Sequence, residues 1–259
     1  MSIGIFDSGV GGLTVFREID REFPFADIYY LGDTARVPYG NKSKETIIRY
    51  SLECANYLYS FGIDALIVAC NTASSYAIEA LRESFDIPVI GVIKPGVELA
   101  VKTTKNGRIG VIGTQATIKS GSYRTEIEKK GDFTVYQKPC PLFVPLVEEG
   151  LIDHKITELT VKEYLDDIVS KGIDTLILGC THYPLLKDVI KKIYPHLNII
   201  DSSKATALYL KKKNLDLNGT GERKIFITDE SPSFEKLKDL VVGSDIHLEK
   251  LELSKICTL

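Results

Sequence analysis

No C-x-x-C pair occurs in the 259 residues, and the five cysteines (Cys54, Cys70, Cys140, Cys180 and Cys257) are an odd number. Neither a disulfide framework nor a zinc knuckle is expected; a reduced, cytoplasmic setting is. No apolar run exceeds strand length, far short of the ~20 residues that span a bilayer, so no membrane association is expected. Residues 1–6, MSIGIF, carry no basic stretch ahead of a long apolar one, and no export signal is expected in them. Charge is nearly balanced, with 32 Lys and Arg against 35 Asp and Glu and a net charge of −3. That balance gives no electrostatic grip on nucleic acid. Lys211-Lys212-Lys213 is a short run that reads as a solvated helix end. Gly9, Gly11 and Gly12 look like a phosphate loop, but no Walker lysine follows and the G-x-G-x-x-G spacing fails. Asn218-Gly219-Thr220 matches a glycosylation sequon and reads as a turn.

What is present is an ordinary globular balance, 44% hydrophobic and 26% charged, in a chain long enough to bury a sizeable core. The chain also repeats itself. Residues 62–72 read GIDALIVACNT and residues 172–182 read GIDTLILGCTH, identical at six of eleven positions and offset by 110 residues (172 − 62). Each is an apolar run rich in Ile, Leu and Val, the signature of a strand buried on both faces. A fainter echo pairs IGIFDS (3–8) with IGVIGT (109–114), in the same order along the chain.

Apolar runs at 27–31, 65–69, 88–92, 109–112, 133–136, 174–178 and 197–200 alternate with amphipathic stretches at 43–60, 74–85, 94–105, 155–170 and 184–193. Alternating strands and helices imply parallel sheets covered on both faces. The expected fold is therefore α/β, with two similar domains related by an approximate two-fold: 1–95, joined by 207–259, and 96–206. In the tail, residues 224–229 read as a strand and Ser231-Pro232-Ser233 as a helix start. Ligands of such sheets bind at the carboxyl ends of the strands. Cys70 and Cys180 end the repeated strands, so they are expected to flank one cleft from opposite sides.

The segments DSGVGGLTV (7–15), LGDTARVPYG (31–40), ACNTAS (69–74), PLFVPLVEEG (141–150) and GCTHYP (179–184) together resemble the cofactor-independent aspartate/glutamate racemase superfamily, from about residue 3 to about residue 206. The resemblance implies racemisation of glutamate, with Cys70 and Cys180 as the two catalytic bases. It implies that Asp7 and His182 assist the thiols and that Asp33 and Glu148 are further acidic residues near the site, with Glu149 an alternative to Glu148. Asp7, Ser8, Tyr39, Gly40, Asn71, Thr72, Thr181 and His182 match positions that hold substrate. It implies no cofactor and no metal, a small-molecule substrate, and a role in supplying D-glutamate for peptidoglycan. Nothing chooses between a monomer and a homodimer.

The residues suit that chemistry. Inverting a stereocentre takes a proton from one face and returns one to the other; a single base tends to return the proton to the face it left, and two opposed bases solve that geometry. A thiol acts as a base only when ionised, which a helix N-terminus or a hydrogen-bonding partner favours. Asn71-Thr72 and Thr181-His182 follow the cysteines where helices are expected to begin. A Schiff-base cofactor would need a lysine, and Lys94 in VIKPG reads instead as part of a helix start. Cys180 and His182 supply two metal ligands, with Cys70 an unusual third. Rival functions remain open at this point: an aspartate racemase of the same superfamily, a cysteine hydrolase with one nucleophile, and a non-catalytic module that binds acidic amino acids.

Overall fold

The computed structural model describes residues 2–213, 219–244 and 246–257. In the first half, β1 (Ser2–Asp7), α1 (Leu13–Glu22), β2 (Asp27–Gly32), α2 (Lys44–Tyr59), β3 (Ala65–Val68), α3 (Asn71–Tyr76), α4 (Ile78–Ser84), β4 (Val89–Gly91) and α5 (Ile93–Thr103) follow one another. The second half contains β5 (Arg108–Gly113), α6 (Gln115–Ser120), α7 (Ser122–Glu128), β6 (Thr134–Pro139), α8 (Phe143–Glu148), α9 (Lys155–Ser170), β7 (Thr175–Gly179), α10 (Lys187–Ile193), β8 (Asn198–Asp201) and α11 (Ser202–Lys212). The tail adds β9 (Arg223–Ile227), α12 (Pro232–Val242) and β10 (Leu248–Lys250).

The strands form two parallel sheets, ordered β10-β9-β2-β1-β3-β4 and β6-β5-β7-β8. The order β2-β1-β3-β4 recurs as β6-β5-β7-β8, so the sequence repeat is a repeat of topology. β3 and β7 are buried along their whole length, as their unbroken apolar runs require. Helices cover the sheets with one apolar stripe each. In α2 the buried residues are Ile47, Ser51, Cys54, Ala55 and Leu58, at helical spacing, and Ser43 caps the helix by accepting a hydrogen bond from Thr46 N.

The tail strand β9 pairs with β2 in the register Ile28↔Arg223 to Gly32↔Ile227, and β10 pairs with β9. Ser231 caps α12, whose first residue is Pro232. Lys211 and Lys212 lie in the last turn of α11, where Lys211 pairs with Glu22. Asn218 of the sequon lies outside the described residues.

Some boundaries differ from the sequence pattern. The helix expected over 74–85 begins at Asn71, because Cys70 supplies the cap, and it breaks at Ala77 into α3 and α4. The stretch 184–193 opens as a 3₁₀ turn, Tyr183–Leu186, before α10. α8 and α11 stand outside the expected pattern: α8 is only six residues with Pro145 inside it, and α11 follows its Asp201 cap directly after β8.

Candidate active site

Both repeated cysteines stand where a buried strand runs out of sheet. Cys70 follows β3 and caps α3, its sulfur accepting a hydrogen bond from Ala73 N at 3.4 Å. The Cys70 thiol also lies 3.6 Å from Ser8 Oγ. Cys180 follows β7, and its sulfur lies 3.9 Å from His182 Nδ1. The expectation that a helix begins beside each cysteine holds differently on the two sides. Behind Cys70 is an α-helix N-terminus; behind Cys180 is a 3₁₀ turn whose cap is His182.

Cys70 and Cys180 line one cavity of about 210 Å³ between the halves, together with Ser8, Tyr39, Gly40, Asn71, Thr72, Glu148, Thr181 and His182. That volume suits a small amino acid rather than a nucleotide. Both cysteines are nearly inaccessible, 5% and 6% exposed.

The loop after β1 brings the halves together. Asp7 is wholly buried; its Oδ2 accepts from Gly9 N at 3.0 Å and its Oδ1 from Thr181 Oγ1 at 3.3 Å. A side chain at Gly11 would place Cβ 2.5 Å from His182 Nδ1 and 2.7 Å from Thr181 Oγ1. At Gly12, Cβ would lie 2.3 Å from Asp7 Cβ. These glycines permit close approach of backbone to side chain, a packing reason for the glycine-rich loop.

Burial raises the Asp7 carboxyl above its ordinary range, against the opposing pull of His182 and hydrogen bonds from Gly9, Gly12 and Thr181. Burial also pushes the Cys70 thiol up, helped by the Asp7 charge, to about 12. His182 goes the other way from a buried histidine without partners. Burial lowers its pKa, but the Cys180 sulfur and the Glu148 carboxylate outweigh burial and lift it to about 10. Glu148 Oε1 sits 3.1 Å from His182 Nε2.

Glu149 is exposed and does not line the cavity, so geometry separates the two adjacent glutamates. Asp33 also lies outside the cavity lining. It is fully buried behind Tyr39, accepting from Tyr39 OH, from Arg36 Nε at 2.7 Å and from Thr228 Oγ1 at 3.2 Å. Cys54 and Cys140 are buried away from the cavity, and Cys257 is exposed. His154, His196 and His247 are exposed, as their polar surroundings predict. Lys94 is exposed at the start of α5.

Asn71 is held by Tyr123 OH, which donates to its Oδ1 at 2.6 Å. Its Nδ2 is buried with no hydrogen-bond partner among the described residues. A buried amide donor beside a cavity is matched by a ligand that brings an acceptor, such as a carboxylate. Among the described residues no group of three or more His, Cys, Asp or Glu side chains is arranged to hold a metal ion.

Sequence reasoning left Thr114 unmarked, yet it lines the cavity. The echo between 3–8 and 109–114 places Thr114 opposite Ser8, so the signal was in the repeat. Tyr123, which aims Asn71, and Val144 and Pro145 of α8, which wall the cavity, carry no comparable mark.

Residues 3–210 match the family described as Asp/Glu/Hydantoin racemase. The chain is 66% identical over 261 residues, covering all of both chains, to a glutamate racemase of Sulfurihydrogenibium sp. (strain YO3AOP1). Glutamate racemase isoform RacE1 from Bacillus anthracis superposes with a TM-score of 0.92 at 41% identity, over 97% of each chain. The glutamate racemase of Francisella tularensis subsp. tularensis SCHU S4, solved in complex with D-glutamate, gives a TM-score of 0.88 at 39% identity, again over 97% of each chain.

Proposed function

The chain belongs to the Asp/Glu/Hydantoin racemase family, and from that premise we propose that it interconverts L- and D-glutamate with Cys70 and Cys180 as opposed bases. It is an isomerase that racemises glutamate. The observation that carries the two-base reading is the pair itself: two thiols at the ends of equivalent strands, lining one cavity.

In each turnover one cysteine, as thiolate, takes the α-proton. The Cα–H bond breaks, the S–H bond forms, and the electron pair stays on Cα and spreads into the carboxylate. The opposite cysteine, as thiol, then delivers its proton to the other face and is left as thiolate. The roles exchange for the mirror-image substrate.

Holding the carboxylate supplies much of the stabilisation, because charge develops beside it. The Asn71 amide and the Ser8 hydroxyl are the donors whose protons are not engaged elsewhere among the described contacts, and Thr72, Thr181, Tyr39 and Gly40 complete the lining. Asp7 assists on the Cys70 side. His182 assists on the Cys180 side, its charge balancing a thiolate there and held in turn by Glu148. Asp33 acts from behind the cavity by fixing Tyr39. The site lies between two domains, 1–95 joined by 207–259 and 96–206.

The D-glutamate made would supply peptidoglycan synthesis in a bacterial cytoplasm. No helix is long and apolar enough to cross a membrane among the described residues.

The test is incubation of L-glutamate and, separately, D-glutamate in deuterated water without added cofactor, following optical rotation and α-deuterium. Wild type inverts both, while Cys70→Ser and Cys180→Ser each lose inversion. Normal rates in both single variants would exclude two-base chemistry. Parallel runs with L- and D-aspartate test the nearest rival substrate, and faster inversion of aspartate would overturn the assignment to glutamate.

A further inference from the structure

Two threonines outside the cavity stand in the first turn of the helix that follows the first strand of each half: Thr14 in α1, after β1, and Thr117 in α6, after β5. Both are buried, at 0% and 1% exposure, and neither lines the cavity.

Each reaches across to the other half. Thr14 Oγ1 lies 2.9 Å from Ser203 Oγ, at the start of α11, and donates to Gly11 O at 2.9 Å and to Thr181 O at 3.0 Å. Ser203 Oγ has no other acceptor among the described contacts, so it donates to Thr14, whose single proton then forks between the two carbonyls. Thr181 is the residue after Cys180. On the other side, Thr117 Oγ1 lies 3.1 Å from Thr72 Oγ1 and 3.0 Å from Thr114 Oγ1, and Thr72 lies 2.9 Å from Thr114. These three hydroxyls close a ring in which each can donate to the next. Thr72 is two residues after Cys70.

We propose that Thr14 and Thr117 are reciprocal positioning residues: each aims the segment that follows the other half's cysteine, and each thereby governs one direction of proton transfer. The proposal rests on the two-base reading above. Thr14 acts on Cys180 through the Thr181 carbonyl. Thr117 acts on Cys70 through the Thr72 hydroxyl.

The two enantiomers have equal energy, so any variant must keep kcat/KM equal in the two directions. The asymmetry therefore shows in the α-deuterium isotope effect. If Cys180 is displaced, proton removal slows for the enantiomer on which Cys180 is the base, and the isotope effect there rises. For the mirror image Cys180 is the acid, proton delivery becomes slow, and the isotope effect on removal shrinks. Displacing Cys70 reverses both signs.

The experiment compares wild type, Thr14→Val and Thr117→Val on α-deuterated L- and D-glutamate. Thr14→Val is expected to raise the isotope effect for one enantiomer and lower it for the other, and Thr117→Val to do the opposite. kcat/KM should fall on the order of tenfold, equally in both directions, as a small misplacement of a reacting group requires. Ser203→Ala should follow Thr14→Val in sign, and Thr117→Ala should follow Thr117→Val; they repeat the two arms with smaller side chains. Thr14→Ser and Thr117→Ser keep the hydroxyls and should stay close to wild type. Because an isotope effect is a ratio read on active molecules only, partial misfolding does not disturb it. Shifts of the same sign in both valine variants, unshifted effects, or serine variants that behave like valine would overturn the proposal. A wild type that exchanges no α-proton from either enantiomer would instead overturn the two-base reading.

Discussion

His182 Nε2 lies 3.1 Å from Glu148 Oε1, joining the turn after Cys180 to the short helix α8. The other ring nitrogen faces the Cys180 sulfur. The imidazole thus stands between a carboxylate and a thiol, with a partner at each ring nitrogen.

That position has a sign in pH. The folded-state pKa of His182 is lifted to about 10, because the sulfur and the carboxylate outweigh burial. Glu148→Gln removes one of the raising influences, so the alkaline limb of kcat/KM should move to lower pH. Activity at neutral pH should fall on the order of tenfold to a hundredfold. Glu149→Gln, on an exposed side chain, should leave the profile where it was. A pH–rate series on the three proteins decides this, and an unmoved limb in Glu148→Gln would refute it.

The same group stabilises the fold with a definite window. Its pKa is raised on folding, so its contribution is complete below the unfolded value of about 6.5 and fades as pH rises through the folded value. The urea midpoint of wild type should therefore exceed that of His182→Asn at neutral pH, and the two should converge as pH approaches about 10. A gap that widens with pH would contradict this sign.

Asp7 is expected to separate ionisation from catalysis. Burial first, and the Asp7 charge second, push the Cys70 thiol up to about 12. Asp7→Asn removes that charge, so alkylation of Cys70 at a fixed pH should be faster than in wild type. Racemisation should nonetheless slow, because the anchor for Thr181 is weakened. Iodoacetamide labelling followed by peptide mass analysis reads the first effect. Slower labelling of Cys70 in the variant would count against it.

Gly11→Ala should disturb the site more than the core. The added carbon meets the His182 ring and the Thr181 hydroxyl at 2.5 and 2.7 Å, so the segment after Cys180 must shift. A cost of about 1–3 kcal/mol in unfolding free energy is expected from overpacking, with a loss on the order of a hundredfold in kcat/KM from misplacement. Unfolding curves and steady-state kinetics on one preparation test both, and near-normal kinetics would show that the loop yields freely.

Asp33→Ala should act chiefly on stability. It strips a buried partner from Arg36, which is 8% exposed and keeps Glu53 as its remaining carboxylate. Breaking such a pair costs about 3 kcal/mol. It also frees Tyr39, so KM should rise. Urea unfolding with substrate titration measures the two effects, and unchanged stability would place the Asp33–Arg36 pair in the solvent-screened class.

The parallel sheets and the paired cysteines were legible because burial on both faces leaves a continuous Ile, Leu and Val run, and because the run occurs twice. Cys70 as a helix cap was harder to see, since thiols are uncommon caps and the helix begins three residues before its apolar periodicity. α8 was invisible because six residues with a proline inside carry no usable period, yet it supplies Glu148. Asp33 was marked by its motif, but sequence holds no depth, and only the fold shows Tyr39 standing between it and the cavity. Thr14 and Thr117 look like ordinary first-turn threonines until their partners, 167 and 45 residues away, are known.

The pairing of β9 with β2 joins Ile28 to Arg223 and Gly32 to Ile227. Every strand of the other sheet, in contrast, lies between Arg108 and Asp201. A chain emerging from the ribosome therefore presents all the strands of the second sheet before the edge of the first exists. Long-range pairings form late because loop closure must be met before they reward it. The part of the molecule that is translated first is thus the part that is finished last: the cavity lining lies between Ser8 and Tyr183, but Asp33, which holds Tyr39 from behind, gains its Thr228 partner only when the tail docks.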